Sequence, residues 1–308
     1  MILLIGAGGY LGSILSSSLV EIGEEIITVS SSFQWSPIPN ETRFICDASM
    51  FNLYSEKIDR VTCIIYMAGS TDILKSELNP ADDLITHMSQ LRGFFESLSS
   101  VSTSSLRKLF FFSSAGAIYG DSYSSVIPHH EESLLAPLSI YGKRNMLLED
   151  IFYHYSKIVG CQYCALRISN PFGITQNMFR RKGLINALLY SAKEGYIVSL
   201  RGNGQQKRDY LFAKDFCQIL IGLIKHSELP PCINVCSGLS FSAIDLVSLM
   251  NKLNIFPNIS TVSDQPYYEV RESRLSNGLL TKLLEQQVYP LTSMEEALST
   301  LISHATNL

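Results

Sequence analysis

An apolar run at the start of the chain leads straight into Gly6-Ala7-Gly8-Gly9-Tyr10-Leu11-Gly12, and an apolar-periodic segment follows. Glycines at 6, 9 and 12 suit a tight strand-to-helix turn without Cβ atoms. Backbone N–H groups of such a turn can approach a pyrophosphate at the positive end of a helix dipole. The triplet alone is a weak signal and is also found in plain structural turns. Its strand, turn and helix setting makes it a candidate dinucleotide cradle. An acid usually follows the second strand of such a unit and holds a ribose 2′-hydroxyl. Here that strand ends Val29-Ser30-Ser31-Ser32, with no acid and no arginine beside it. A Ser30 hydroxyl tolerates a 2′-hydroxyl or a 2′-phosphate, so the stretch points to NAD or NADP, with a slight preference for NAD. Asp47, in FICDAS, is placed either beside the adenine or in solvent as an ordinary loop acid.

A second stretch, YGKRNMLLE at 141–149, opens an amphipathic helix on Tyr141. Other chemistry is less promising. Cys161 and Cys164 form a CxxC inside the strand-like CQYCALRI, where residues three apart face opposite ways. Seven cysteines, an odd number scattered over 308 residues, do not make a disulfide framework. Structural thiols and no metal site are expected. The densest basic run, RRK at 180–182, reads as a solvated loop, and a net charge of −4 gives no global field for nucleic acid. No stretch approaches the roughly 20 apolar residues of a membrane span. The opening MILLIGAGGYLG lacks the charged region of a signal peptide. A cytoplasmic soluble protein is the expectation.

The elements that must position these residues are legible in the periodicity. ILLI (2–5), EIITV (25–29), TCIIYMA (62–68), KLFFFSS (108–114) and YCALRI (163–168) read as strands buried on both faces. Helix-like segments lie around 11–21, 80–98 and 141–156, the middle one beginning near Asn79-Pro80 because proline suits a first turn. This βαβα order predicts an α/β fold with a doubly wound parallel sheet. Beyond residue 170 the pattern is mixed, with helices at 183–194, 213–226, 242–253, 278–285 and 293–305 and strands at 197–200, 209–212 and 232–235. A division into a nucleotide-binding domain at 1–169 and a smaller mixed α/β substrate region at 170–308 is expected. Residues around 205–237 are expected to return to the first domain.

In several blocks, the chain resembles the extended short-chain dehydrogenase/reductase family, in its nucleotide-sugar epimerase/dehydratase branch. The blocks are the glycine spacing at 6, 9 and 12, YMAG (66–69), FFSSAGAIYGD (111–121), PHHEESLLAPLSIYG (128–142), LRISNPFG (166–173), QNMFRRKGLI (176–185), GNGQQKRDYLFAKD (202–215) and NVCSG (234–238). The resemblance runs nearly end to end and implies a Rossmann-type sheet, a nicotinamide dinucleotide and a nucleotide-diphosphate sugar. It implies that Tyr141 is the acid/base, that Ser114 holds the reacting oxygen (Ser113 being the lesser choice), and that Ala68 lines the coenzyme with Tyr141 and position 145. A free tyrosine ionises near pH 10, so such a site must favour the tyrosinate. Asn170, Arg208 and Arg271 fall where the family grips the diphosphate, a task suited to the planar guanidinium. A homodimer through paired helices is also implied.

The chain departs from that pattern in two places. The family lysine, four residues after the tyrosine, is Asn145, which can hydrogen-bond a ribose but brings no charge. Arg144, at i+3, is close enough in angle to curl towards Tyr141, whereas Lys143 at i+2 faces away. His87 stands where the family commonly has asparagine, and a lone helix histidine usually serves packing. The Ala115-Gly116 pair excludes the acid pair of the sugar dehydratases, and no cysteine of the 3,5-epimerase type is present. The leading expectation is therefore NAD(P)-dependent 4-epimerisation of a UDP-sugar-like substrate, in surface-polysaccharide or O-antigen synthesis. An NADPH-dependent 4-keto-sugar reductase and a cofactor-binding protein without catalysis are the rivals.

Overall fold

A computed structural model describes residues 1–33, 35–53, 55–69, 72–99, 101–122, 128–173, 183–284 and 290–306. The RRK run and most of the QNMFRRKGLI block lie outside the described residues. The first half contains β1 (Ile2–Ile5), α1 (Tyr10–Glu21), β2 (Ile26–Ser30), β3 (Glu41–Ile45), β4 (Cys63–Tyr66), α2 (Ile73–Leu78), α3 (Pro80–Ser99), β5 (Lys108–Ser114), α4 (Ala115–Ile118), α5 (Ile140–Val159) and β6 (Gln162–Ile168). The second contains β7 (Asn170–Phe172), α6 (Leu184–Glu194), β8 (Val198–Leu200), β9 (Lys207–Phe212), α7 (Ala213–Lys225), β10 (Cys232–Val235), β11 (Ser240–Ser242), α8 (Ala243–Lys252), β12 (Ile259–Thr261), α9 (Gly278–Leu284) and α10 (Met294–Thr306). Seven strands form one sheet in the order β10-β6-β5-β4-β1-β2-β3, a doubly wound parallel sheet of Rossmann type.

The chain forms two compact units, one of Met1–Ser114, Ser139–Arg167 and Leu220–Ile233, the other of Ala115–Leu138, Ile168–Ile219 and Asn234–Leu308. In the first, β1 and β4 are buried along their whole length, as strands covered on both faces must be. β3 ends the sheet, and its ETRFI carries no fully buried residue, in keeping with an edge strand. Phe111 of β5 stacks on Phe152 of α5 at 4.8 Å, and Tyr66 meets Phe94 of α3 edge-on at 5.1 Å. These rings seat α3 and α5 on the sheet. α3 begins at Pro80 with Asp82 and Asp83 in its first turn, where the helix dipole favours negative charge. α5 begins where the Ser139 hydroxyl accepts from the Gly142 N–H, and it ends on left-handed Gly160.

Two polar ties complete this unit. Glu149 of α5 and Arg167 of β6, both buried, pair at 2.8 Å. Lys108 donates its Nζ to the carbonyl oxygens of Ile224 and His226 around the end of α7, a cation on orphan helix carbonyls. The second unit has a three-stranded sheet, β11-β9-β7, and a two-stranded one, β12-β8. Phe172, Leu188, Leu200, Phe212, Leu246 and Leu301 are among its buried core. Asp209 is buried there and accepts from the Ser237 N–H and hydroxyl and from the Gly238 N–H at 2.7 Å. Burial pushes its carboxyl above the usual range.

The expected strands and helices appear within two or three residues of their expected ends. α2, α4 and the three-residue strands β7, β11 and β12 were not expected, because elements this short carry no period, and the edge strand β3 was not among the expected apolar runs because ETRFI is not one. All seven cysteines are free, and burial pushes the Cys63 thiol up to about 12 and that of Cys161 to about 11. Among the described residues no helix is long and apolar enough to cross a membrane. Glu149→Ala removes the carboxylate paired with the buried Arg167 guanidinium and should cost about 3–5 kcal/mol in urea unfolding, while Glu149→Leu with Arg167→Met should recover most of that loss.

Candidate functional site

The glycine turn has four glycines with four different surroundings. Gly6 has φ +85°, and a Cβ there would lie 2.5 Å from the Ala68 nitrogen, so the turn can press against the end of β4. A Cβ on Gly8 would strike the Ser32 carbonyl and crowd the Ser30 hydroxyl, and one on Gly12 would lie 2.3 Å from the Ala7 oxygen. Those three are glycines because the protein packs on them. Gly9 is different: a Cβ there would meet nothing nearer than the Gly6 oxygen, at 3.7 Å. Gly9 is also the N-cap of α1 and supplies no side-chain cap, and Tyr10 and Leu11 open the helix behind it. Open space on that glycine and N–H groups not capped by a side chain are what a pyrophosphate requires.

Ser30 lies at the end of β2, partly buried against the turn, with no acid in the Ser30–Ser32 stretch. Arg43 of β3 is committed elsewhere: it pairs with Glu41 at 2.8 Å and donates to the Trp35 carbonyl. Asp47 accepts from the N–H and hydroxyl of Ser49 and, through its other oxygen, from Gln90 Nε2 of α3 at 3.0 Å. It therefore caps a turn and ties that turn to α3.

Tyr141 stands one residue into α5 and is partly buried. Asn145 is buried, and its Nδ2 donates to the Tyr141 carbonyl at 2.8 Å, a bond back along the same helix face. Arg144 does curl in. It is 3% exposed, and its guanidinium carbon lies 5.0 Å from the centre of the Tyr141 ring. It does not arrive as a free cation, because Nη1 donates to both carboxylate oxygens of Asp83 on α3, at 2.7 and 2.6 Å. The charge beside the tyrosine ring is thus one half of a buried pair. Sequence reasoning gave Asp83 no part in the site; its signal was a first-turn acid one helical turn before His87.

His87 shares the cluster, with its Nδ1 2.7 Å from the Asp83 carbonyl oxygen and 3.3 Å from Arg144 Nη1. A carbonyl only accepts, so Nδ1 carries the proton in the neutral ring. Nε2 lies toward Gly69, where a Cβ would be 3.4 Å away. Burial, and then the Arg144 charge, push the His87 imidazole below its usual value. Ser114 is the partly buried last residue of β5; Ser113 before it is 5% exposed.

The expected diphosphate grip belongs to the second unit. Asn170 of β7 donates from Nδ2 to the Asp209 carbonyl at 2.9 Å. Arg208 of β9 donates from Nη1 to the carbonyl oxygens of Lys207 and, at 3.3 Å, Arg271. Arg271 is exposed, and its N–H is held by the Asp121 carboxylate. Asn170 and Arg208 thus belong to paired strands, Asn170 lying opposite Tyr210, and the Arg271 backbone is brought to Arg208.

A model of the NAD dependent epimerase/dehydratase family matches residues 2–236. The chain belongs to that family. A putative UDP-glucose 4-epimerase of Methanocaldococcus jannaschii is 25% identical over 255 residues, covering 81% of each chain. A dTDP-4-dehydro-6-deoxyglucose reductase of Escherichia coli is 24% identical over 270 residues, covering 82% of each. The structure of Thermus thermophilus UDP-glucose 4-epimerase in complex with NAD has a TM-score of 0.85 at 19% identity and covers 98% of each chain. Family members are epimerases, dehydratases and reductases that use NAD(P), and the glycine turn fits that group: Gly6, Gly9, Tyr10, Leu11 and Gly12 present the helix end, and Gly9 keeps the space open.

Three outcomes test this geometry. Gly9→Ala should fold with a stability within about 1 kcal/mol of the parent yet bind NAD(P) poorly, whereas Gly6→Ala should lower the melting temperature itself; thermal melts with and without dinucleotide separate the two. Asp83→Asn should cost about 3 kcal/mol in urea unfolding, because Arg144 stays buried without a counter-charge. The unfolded imidazole binds its proton near pH 6.5 and folded His87 only at lower pH. Its stabilising contribution is therefore full above about pH 6.5 and is lost as pH falls through the folded value. The fall in melting temperature from pH 7 to 5 should be shallower in His87→Gln.

Proposed function

We propose that the chain is a nucleotide-sugar 4-epimerase that oxidises C4 of a UDP-sugar-like substrate transiently and reduces it again on the other face. The observation that carries this reading is the survival, in one unit, of the open Gly9 cradle at the start of α1 and of Tyr141 at the start of α5. The nicotinamide dinucleotide, when bound, takes up the C4 hydride and returns it. Tyr141 takes the proton of the C4 hydroxyl and gives it back, so the cycle consumes neither acid nor base. Ser114, at the strand end, holds the sugar oxygen in this scheme. Asn145 meets the coenzyme as a neutral hydrogen-bonding group, and the Arg144–Asp83 pair keeps the tyrosine ring in place. Asn170, Arg208 and Arg271 hold the diphosphate, with guanidinium charge matched to phosphate oxygens. With Ala115-Gly116 after β5, no acid pair protonates a leaving hydroxyl, which separates the proposal from dehydration. A place in surface-polysaccharide or O-antigen sugar synthesis is part of it.

A 4-keto-sugar reductase is the second reading, favoured by the similarity to the E. coli reductase and by the Ser30 end of β2, which does not reject NADP. The deciding experiment releases and identifies any nucleotide held by the purified protein. It then follows UDP-glucose, UDP-GlcNAc and their 4-epimers without added coenzyme. Interconversion is expected, falling about a thousand-fold in Tyr141→Phe. Stoichiometric NADPH consumption on a 4-keto sugar, without interconversion, would replace the epimerase by the reductase. Coenzyme binding with no turnover of either kind would leave a protein without catalysis.

A further inference from the structure

Three helices bring charged groups to the start of α5, where Tyr141 stands. On α5 itself, Arg144 lies one turn further on, its guanidinium carbon 5.0 Å from the ring centre, while Lys143 is exposed and Asn145 is neutral. On α3, Asp83 holds that guanidinium with both carboxylate oxygens, and its side chain is 10% exposed; Asp82 beside it is exposed. His87, one turn along α3, reaches the same pair, with Nδ1 3.7 Å from an Asp83 carboxylate oxygen. Burial lowers its imidazole, so the ring is mostly neutral at pH 7. On α2, the Glu77 carboxylate accepts from the N–H of Ile140, the residue before Tyr141. A helix start carries about half a positive charge, and a carboxylate seated on one of its N–H groups offsets it. Among these groups one buried cation faces two carboxylates, so they bring the tyrosine no net positive charge.

A phenol releases its proton more readily beside a cation and less readily beside an anion. The effect is largest where water is excluded, and Arg144 is buried. Unopposed at this distance, its charge would favour the tyrosinate by a factor of about ten. Asp83 opposes it. An asparagine at the same place could accept from Nη1 and leave the guanidinium charge uncancelled, so the carboxylate has an effect that a neutral acceptor would lack.

We propose that Asp83 is a positioning residue for the acid/base: by closing a pair with Arg144 it withholds that charge from Tyr141 and so sets the pH at which the tyrosine exchanges its proton. The role of Tyr141 rests on the proposed function, but the first measurement needs no turnover. The full chain is made with isotope-labelled tyrosine and followed by carbon NMR at Cζ, and the Tyr141 signal is identified by its loss in Tyr141→Phe. Its midpoint against pH is compared in wild type, Asp83→Asn, Arg144→Gln and the double variant. The midpoint should fall by about one pH unit in Asp83→Asn and rise by about one in Arg144→Gln. The double variant leaves no charge buried alone and should return to the wild-type midpoint. An unmoved midpoint in Asp83→Asn would overturn the proposal. So would a double variant about one unit above wild type, since Arg144 would then act as a whole charge despite its partner. Where Asp83→Asn does not fold, the rise in Arg144→Gln and its reversal in the double variant carry the test, and the absence of either overturns it. The acid limb of the pH–kcat profile for interconversion should move with the midpoint. Shifted midpoints in a protein that interconverts no sugar would uphold the charge arrangement and remove the epimerase reading alone.

Discussion

A carboxylate and a guanidinium, both withdrawn from water, join the first turn of α3 to the second turn of α5. Neither can stay buried without the other, since an isolated charge in the interior is far more costly than the pair is favourable. The contact therefore acts as a register pin. It sets how α3 and α5 lie against each other at the carboxyl end of the sheet, and so where the Tyr141 ring is held. The same contact decides the electrostatics. A lone ammonium beside a phenol presents a whole charge; a closed pair presents a dipole, whose field falls off faster with distance. With Asn145 neutral and Arg144 paired to Asp83, the ring therefore meets a closed pair and no whole positive charge.

Elsewhere, too, polar groups are consumed in shaping the fold rather than left for chemistry. Asp47 caps a turn and holds Gln90, Arg43 fastens the segment after β2, and Asp209 gathers three donors from the Ser237-Gly238 turn. Gly9, the N-cap of α1, stands out against this background because nothing among the described residues occupies the space its missing side chain leaves, whereas packing accounts for Gly6, Gly8 and Gly12.

The sheet and its helices were legible because buried strands such as ILLI and CIIY are short apolar runs, and because α3 and α5 carry Pro80 and the Ser139 cap at their starts. β7, β11 and β12, three residues each, were not, since two or three residues define no period. At the site, the glycine turn was readable from its spacing together with its setting between an apolar strand and a periodic helix. That Arg144 would bend towards Tyr141 was also open to sequence reasoning, through the angle between i and i+3. Its capture by Asp83 was not, because the partners are 61 residues apart and nothing local links them.

The tie from Lys108 to the end of α7 bears on how the chain is made. Its acceptors, Ile224 and His226, lie more than a hundred residues downstream, and β10 adds the last strand beside β6 only after them. On the ribosome, the amino-terminal half emerges with β6 as an exposed edge and keeps it exposed until β10, Cys232–Val235, has been synthesised. A nascent chain of this kind is open to edge-to-edge association during that interval. Its first unit cannot be exchanged between relatives by a single cut, because three separate stretches of sequence must travel together.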